Sequence, residues 1–197
     1  MKTLALDTST HLLVIALIDG ERVVAKSTLD IPKRQSELTL PEVQRLMSSL
    51  GWTPTDLQAV VVTDGPGSYT GLRIAMTIAK VLAVIQPLEL YTIGTLQLWA
   101  GTLPKARVVL DARAKRVFTG VYERGEAVEA DHAIATETLS PQLQTDEVLV
   151  GHAALLGRSA LEVDLAEHFA ALRSRWVKVE NPHGLVPRYL KDPEHNA

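Results

Sequence analysis

Apolar and β-branched residues come in short runs over residues 3–6, 12–18 and 21–29, the last two separated by Asp19-Gly20. Both residues of that pair tolerate positive φ, as a two-residue hairpin turn requires, so the opening predicts three antiparallel strands. Leu40, Val43, Met47 and Leu50 then recur on one face of a 3.6-residue repeat, with Ser36 placed as a cap and Gly51 as the stop. Pro41 suits such a helix only in its first turn. A continuous apolar run at 57–63 reads as a buried strand. It passes through the turn Asp64-Gly65-Pro66-Gly67-Ser68 into a helix over 69–85, followed by a strand at 88–92 and a short helix at 95–101.

Strand, strand, strand, helix, strand, helix, strand is the element order of ribonuclease-H-like and actin-like folds. A second cycle opens near Arg107, with strands at 108–110, 117–122, 128–134 and 148–150 and helical stretches around Leu155 and over 165–172. The predicted class is therefore α/β, of the ribonuclease-H-like and actin-like kind, with mixed sheets flanked by helices and a second, smaller lobe. Pro104 and the restart of the pattern divide it into residues 1–103, an N-terminal lobe, and 104–197, a smaller C-terminal lobe; the first holds the helices that are candidates for binding a partner.

The 69–85 helix is apolar on two sides. Leu72, Met76, Ala79 and Leu82 form one stripe; Ile74, Ile78, Val81 and Ile85 form another, and few polar residues separate them. A helix of this kind is covered nearly all round. One sheet covers one side, so the second is enclosed either by the same chain or by another. Leu40, Val43, Met47, Leu72, Ile74, Ile78, Val81 and Ile85 are accordingly the candidate partner interface. The sheet-facing stripe is expected to hold Met76 and Leu82.

Composition narrows the picture. With 46% hydrophobic and 22% charged residues in 197, the chain reads as an ordinary globular protein, and a net charge of −3 leaves any nucleic-acid contact local or shared. Cysteine is absent, which removes disulfides, thiolate nucleophiles and cysteine metal sites and suits a reducing compartment. Asp7 interrupts the N-terminal apolar run, and no later run nears the roughly 20 residues of a membrane span. A cytoplasmic protein without membrane contact is expected.

Candidate chemistry concentrates at two turns. Asp7, Thr8 and Ser9 end the first strand, and Gly65, Gly67 and Ser68 precede the 69–85 helix; free N–H groups there could face a phosphate. Alternatively the glycines serve turn geometry and close packing, with Ser68 capping the helix. Asp7, with Glu42 and Asp64 as companions, is also where a metal-dependent nuclease would gather carboxylates. No two of the six histidines lie three or four residues apart, so a helical metal pair is not expected. Lys105, Arg107, Arg113, Lys115 and Arg116 make a basic run, either a phosphate-contacting stripe or a solvated hairpin edge.

The stretch GPGSYTGLRIAMTIAKVLA resembles the GPGS-aromatic-TGLR signature of the TsaB family, also called YeaZ. LALDTST resembles that family's first strand, QSELTLPEVQRLMSSLG its HSE helix, VVLDARAKRVFTGVY its DAR hairpin, VLVGHAALLG its glycine turn and LVPRYLK its C-terminal tail. The resemblance spans nearly the whole chain, with Gln35 in place of the usual histidine and His152 where an aspartate often stands. It implies an actin-like two-lobe fold for a non-catalytic subunit that pairs, through helices of its N-terminal lobe, with TsaD. TsaD is the catalytic paralogue that threonylcarbamoylates the adenosine beside the tRNA anticodon. The resemblance further implies a TsaE-type ATPase as a third member and TsaC as supplier of the adenylate. No catalytic residue, metal or cofactor is then expected in the isolated chain. A nucleotide at the interface with TsaD stays open, tRNA is met only through the complex, and the lone chain is expected to form a homodimer. The alternatives are a ribonuclease-H-like metal nuclease and a stand-alone actin-like ATP-dependent transferase; the family's older glycoprotease-like label finds no catalytic constellation.

Overall fold

The computed structural model describes residues 1–190; the end of the expected second lobe, 191–197, lies outside them. The first sheet contains β1 (Lys2–Asp7), β2 (Leu12–Asp19), β3 (Arg22–Asp30), β4 (Ala59–Thr63) and β5 (Glu89–Ile93). Its order runs β5-β4-β1-β2-β3, antiparallel from β1 to β3 and parallel across β1, β4 and β5. That order makes the lobe actin-like. Helix α1 (Gln35–Ser49) connects β3 to β4, and α2 (Tyr69–Ile85) connects β4 to β5.

Alternation along the central strands explains why they are apolar throughout. Leu4, Leu6, Leu13, Ile15, Leu17, Val60 and Val62 point to one face, where α1 and α2 pack. Ala5, Val14, Ala16, Ile18 and Val61 point to the other, where α3 (Thr95–Ala100) packs. A strand covered on both faces carries no polar alternation.

The second sheet has the order β8-β7-β6-β9, from β6 (Ala106–Arg113), β7 (Arg116–Glu123), β8 (Glu126–Ala135) and β9 (Leu149–Gly151), with the single turn α4 (Thr136–Leu139) between β8 and β9. Val108, Leu110, Tyr122 and Val150 share one core with the second face of the first sheet. The chain then returns to its start: α5 (Leu165–Ala171) packs on β2 and β3, and β10 (Val177–Lys178) adds to the outer edge of β5. Among the described residues no helix is long and apolar enough to cross a membrane.

Two local expectations are corrected. Ser36 does not cap α1; Arg34 holds the cap position without a side-chain bond, because the chain turns there through the Arg34 N–H to Ile31 carbonyl bond (3.0 Å). Pro41 lies inside α1 rather than in its first turn. Both Pro41 and Glu37, whose carbonyl loses its usual donor, are on the exposed side, where water replaces the missing bond.

Candidate functional site

The β1–β2 turn is locked onto the start of α2. Asp7 is fully buried; its Oδ1 accepts from the Ser9 N–H (2.8 Å) and from the Thr63 hydroxyl (2.6 Å), while Oδ2 has no partner. Thr8 Oγ1 donates to the Gly71 carbonyl (2.6 Å), and Ser68 N–H donates to the Ser9 carbonyl (2.7 Å). Ser68 also caps α2 by accepting from Gly71 N–H (3.2 Å). A Cβ at Gly67 would stand 2.6 Å from the Ser9 carbonyl oxygen; at Gly71 it would collide with the Thr8 carbonyl, and at Gly65 with that of Arg188. The glycines of GPGSYTG thus clear room for the chain's own backbone.

Beside this junction, at one side of the core the two sheets share, a cleft of about 700 Å³ opens between them. Ser9, Gly67 and Ser68 line it, as do Ile74, Phe118 on the second sheet and His152 just after β9; Asp7, Thr8 and Gly65 are not part of its lining. The two departures from the family pattern meet here. Gln35 donates to the Thr10 carbonyl (3.1 Å) and ties the start of α1 to the β1–β2 turn. His152 Nδ1 accepts from the Asp111 N–H (3.0 Å), so the ring proton sits on Nε2, which is buried without a partner. Burial and the neighbouring His11 hold His152 below the ordinary imidazole range.

The carboxylates do not converge on Asp7. Glu42 is held by the guanidinium of Arg45 (2.7 and 2.8 Å), which lowers its pKa to about 2. Asp64 lies next to Arg188, with Nε 3.6 Å from Oδ1, yet burial dominates and raises its pKa to about 6. Among the described residues no group of three or more histidines or carboxylates is placed to hold a metal ion. The basic run is largely paired: Arg107 bridges Glu129 (3.0 Å) and Glu147 (2.8 Å), Lys105 meets Glu123 (3.2 Å), and Arg116 donates to the Ala133 carbonyl (3.2 Å). Arg113 contacts Asp111 (3.3 Å), and Lys115 is exposed on the hairpin tip.

Burial gives Asp64 a sign that can be measured. An acid whose folded pKa is raised binds more protons folded than unfolded, so its share of stability falls as pH rises from its ordinary 3.8 to about 6. His152 works the other way, since its folded pKa is lowered, and Asp7, raised by burial, adds to the Asp64 trend. The difference between the wild-type chain and Asp64→Asn isolates the residue. Thermal midpoints should show the wild type losing ground to the variant between pH 4 and pH 6. A constant difference across that window would refute the assignment.

The outer side of α2 is the other candidate. Gly71, Leu72, Ala75, Met76 and Ala79 face the sheet, and Ile74, Ile78 and Leu82 are half-buried at the flanks. Val81 (52% exposed), Val84 (54%) and Ile85 (67%) stand in solvent, as does Leu40 on α1 (58%). For three residues the interface expectation is corrected: Val43, Met47 and Leu72 are enclosed in the chain's own core, because α1 and α2 turn those positions onto the sheet. Val84, a helical step from Val81 and adjacent to Ile85, was missed by the two-stripe reading although the same periodicity contains it.

Residues 30–150 match the family described as "TsaD: tRNA N6-adenosine threonylcarbamoyltransferase". The tRNA threonylcarbamoyladenosine biosynthesis protein TsaB of Bacillus subtilis is 29% identical, over 100% of this chain and 97% of that protein. An uncharacterized protein of Mycobacterium tuberculosis is 30% identical, over 97% and 92% respectively. YeaZ from Pseudomonas aeruginosa has the same fold, with a TM-score of 0.78 at 24% identity over 96% of this chain and 99% of that one. More than half of the sequence falls within the family match, and the glycine turn and helix described above lie inside it: the chain belongs to the TsaB (YeaZ) family.

Proposed function

We propose that the chain serves tRNA threonylcarbamoyladenosine biosynthesis as a non-catalytic subunit, pairing through the outer side of α2 with a TsaD-type catalytic paralogue. The observation that carries this reading is the exposure of Val81, Val84 and Ile85 on a helix whose opposite side is already buried. Apolar area left in water costs about 25 cal/mol per Å², so such a face gains by being covered. The names of the curated relatives supply the pathway, and the scattered carboxylates, with Glu42 and Asp64 each beside an arginine rather than beside Asp7, give no support to a nuclease. A TsaE-type ATPase joins the pair, any nucleotide is held at the interface with the paralogue, and tRNA is engaged by the assembled complex in the cytoplasm. Alone, the chain covers the same face with a second copy of itself.

The test is to co-purify the chain with the TsaD-type protein of the same organism and measure tRNA modification with each component omitted. Modification should require both. The isolated chain should neither modify tRNA nor hydrolyse ATP, and robust turnover by it alone would overturn the proposal.

A further inference from the structure

We infer that Arg188 is a positioning residue, a clasp by which the C-terminal segment holds the second sheet at a set angle to the first. Its backbone N–H donates to the Asp64 carbonyl (2.7 Å). Its guanidinium Nη2 donates to the Gly65 carbonyl (2.8 Å), after β4, and to Asp131 Oδ2 (3.0 Å), on β8. Asp131 has a side chain only 4% exposed, and its other oxygen accepts from the Tyr122 hydroxyl on β7 (2.6 Å). One side chain near the end of the described chain therefore bridges the two sheets through a buried carboxylate.

Three glycines from separate parts of the chain keep this space open. A Cβ at Gly94 would stand 2.9 Å from Arg188 Nη2, one at Gly120 would stand 2.8 Å from Asp131 Oδ1, and one at Gly65 would strike the Arg188 carbonyl. Gly65 is also required by its own backbone, with φ +124, whereas Gly94 and Gly120 have no positive φ and lack a side chain where one would crowd Arg188 and Asp131. The neighbouring Tyr189 stacks on Tyr69 in the first turn of α2, with ring centroids 5.4 Å apart and planes at 19°, and Arg73 lies 4.1 Å over the Tyr69 ring. The segment that joins the sheets thereby also touches the helix with the exposed apolar face.

Arginine suits this task because its planar fork reaches a carbonyl and a carboxylate in fixed directions, whereas a lysine is a single flexible point charge. Removing the guanidinium would leave the Asp131 carboxylate buried without its cation, and the sheets would open at this edge of their shared core to let water in.

The chain has no cysteine, so a pair introduced as Gln44→Cys on α1 and Thr138→Cys on α4, both exposed, can carry spin labels reporting the angle between the sheets. Labelled chain is diluted with unlabelled chain so that only distances within one molecule are read. The expected result is a single narrow distance in the wild-type background and its loss in Arg188→Gln, in Asp131→Asn and in Arg188→Lys, with circular dichroism unchanged. The Arg188→Gln, Asp131→Asn double variant should broaden no further than either single change, since both break the same contact. Should Arg188→Gln fail to fold, Arg188→Lys and Asp131→Asn decide. An unaltered narrow distance in those two overturns the clasp. The measurement is made without any partner, so its failure and that of the proposed pairing are separate results.

Discussion

Gly71→Ala should lower the stability of the chain by more than Gly20→Ala does. The new Cβ would drive into the Thr8 carbonyl, and neither side can retreat: Thr8 is bonded to the Gly71 carbonyl, and the adjoining Ser9 carbonyl is held by Ser68. Overpacking a rigid interior costs roughly 1–3 kcal/mol where side chains can adjust, and a backbone-to-backbone clash belongs at or above the upper end. Gly20→Ala is the control. Gly20 has φ +64 but nothing within 4 Å of its would-be Cβ, so it loses only the left-handed backbone preference, about 1–2 kcal/mol. Urea unfolding midpoints compare the two, and a Gly71→Ala chain no less stable than Gly20→Ala would mean that the β1–β2 turn is not locked onto α2.

Charge placed on the two sides of α2 should separate folding from association. Met76 is 3% exposed and packs with Val60 and Val62 beneath α2, so Met76→Glu would bury an unpaired carboxylate at a cost of several kcal/mol, enough to unfold a domain of ordinary stability. Ile85→Glu, on the exposed side, should change stability by no more than about 0.5 kcal/mol while abolishing both the proposed homodimer and the proposed pairing with a TsaD-type paralogue. Circular dichroism reports the first effect and sedimentation the second. If Ile85→Glu unfolds the chain, or leaves both associations intact, the partner surface is elsewhere. Ile74 is a poorer choice for this test, since it lines the interlobe cleft.

Much of this architecture is legible in the sequence. The hairpin at Asp19-Gly20, the strand at 57–63 and the helix over 69–85 each carry a strong local signal, because turn dihedrals and burial periodicity act within a few residues. The family could be read for the same reason: its motifs are contiguous. Which stripe of α2 meets the sheet was fixed by no local property, since Leu72 and Ile85 are equally apolar. The orientation came from the glycines at 67 and 71, which bring that turn of helix against Ser9 and Thr8.

The apolar pattern of the sequence by itself determined the order and kind of the main elements and their two-cycle arrangement, through interactions spanning one strand or one helical turn. The tertiary structure alone decided the rest. The two-residue strand Val177–Lys178 has no propensity of its own and exists because β5 offers it an unpaired edge. Arg188, one basic residue among twenty, becomes a bridge only when β8 brings Asp131 to it across 57 positions of chain. Asp64 and Asp7 look alike as carboxylates ending or following strands, and burial together with their different neighbours made one the companion of an arginine and the other the hydrogen-bonded floor of a turn. Such pairings depend on which distant segments meet, and the free energy that selects them belongs to the whole packed core rather than to any stretch of sequence.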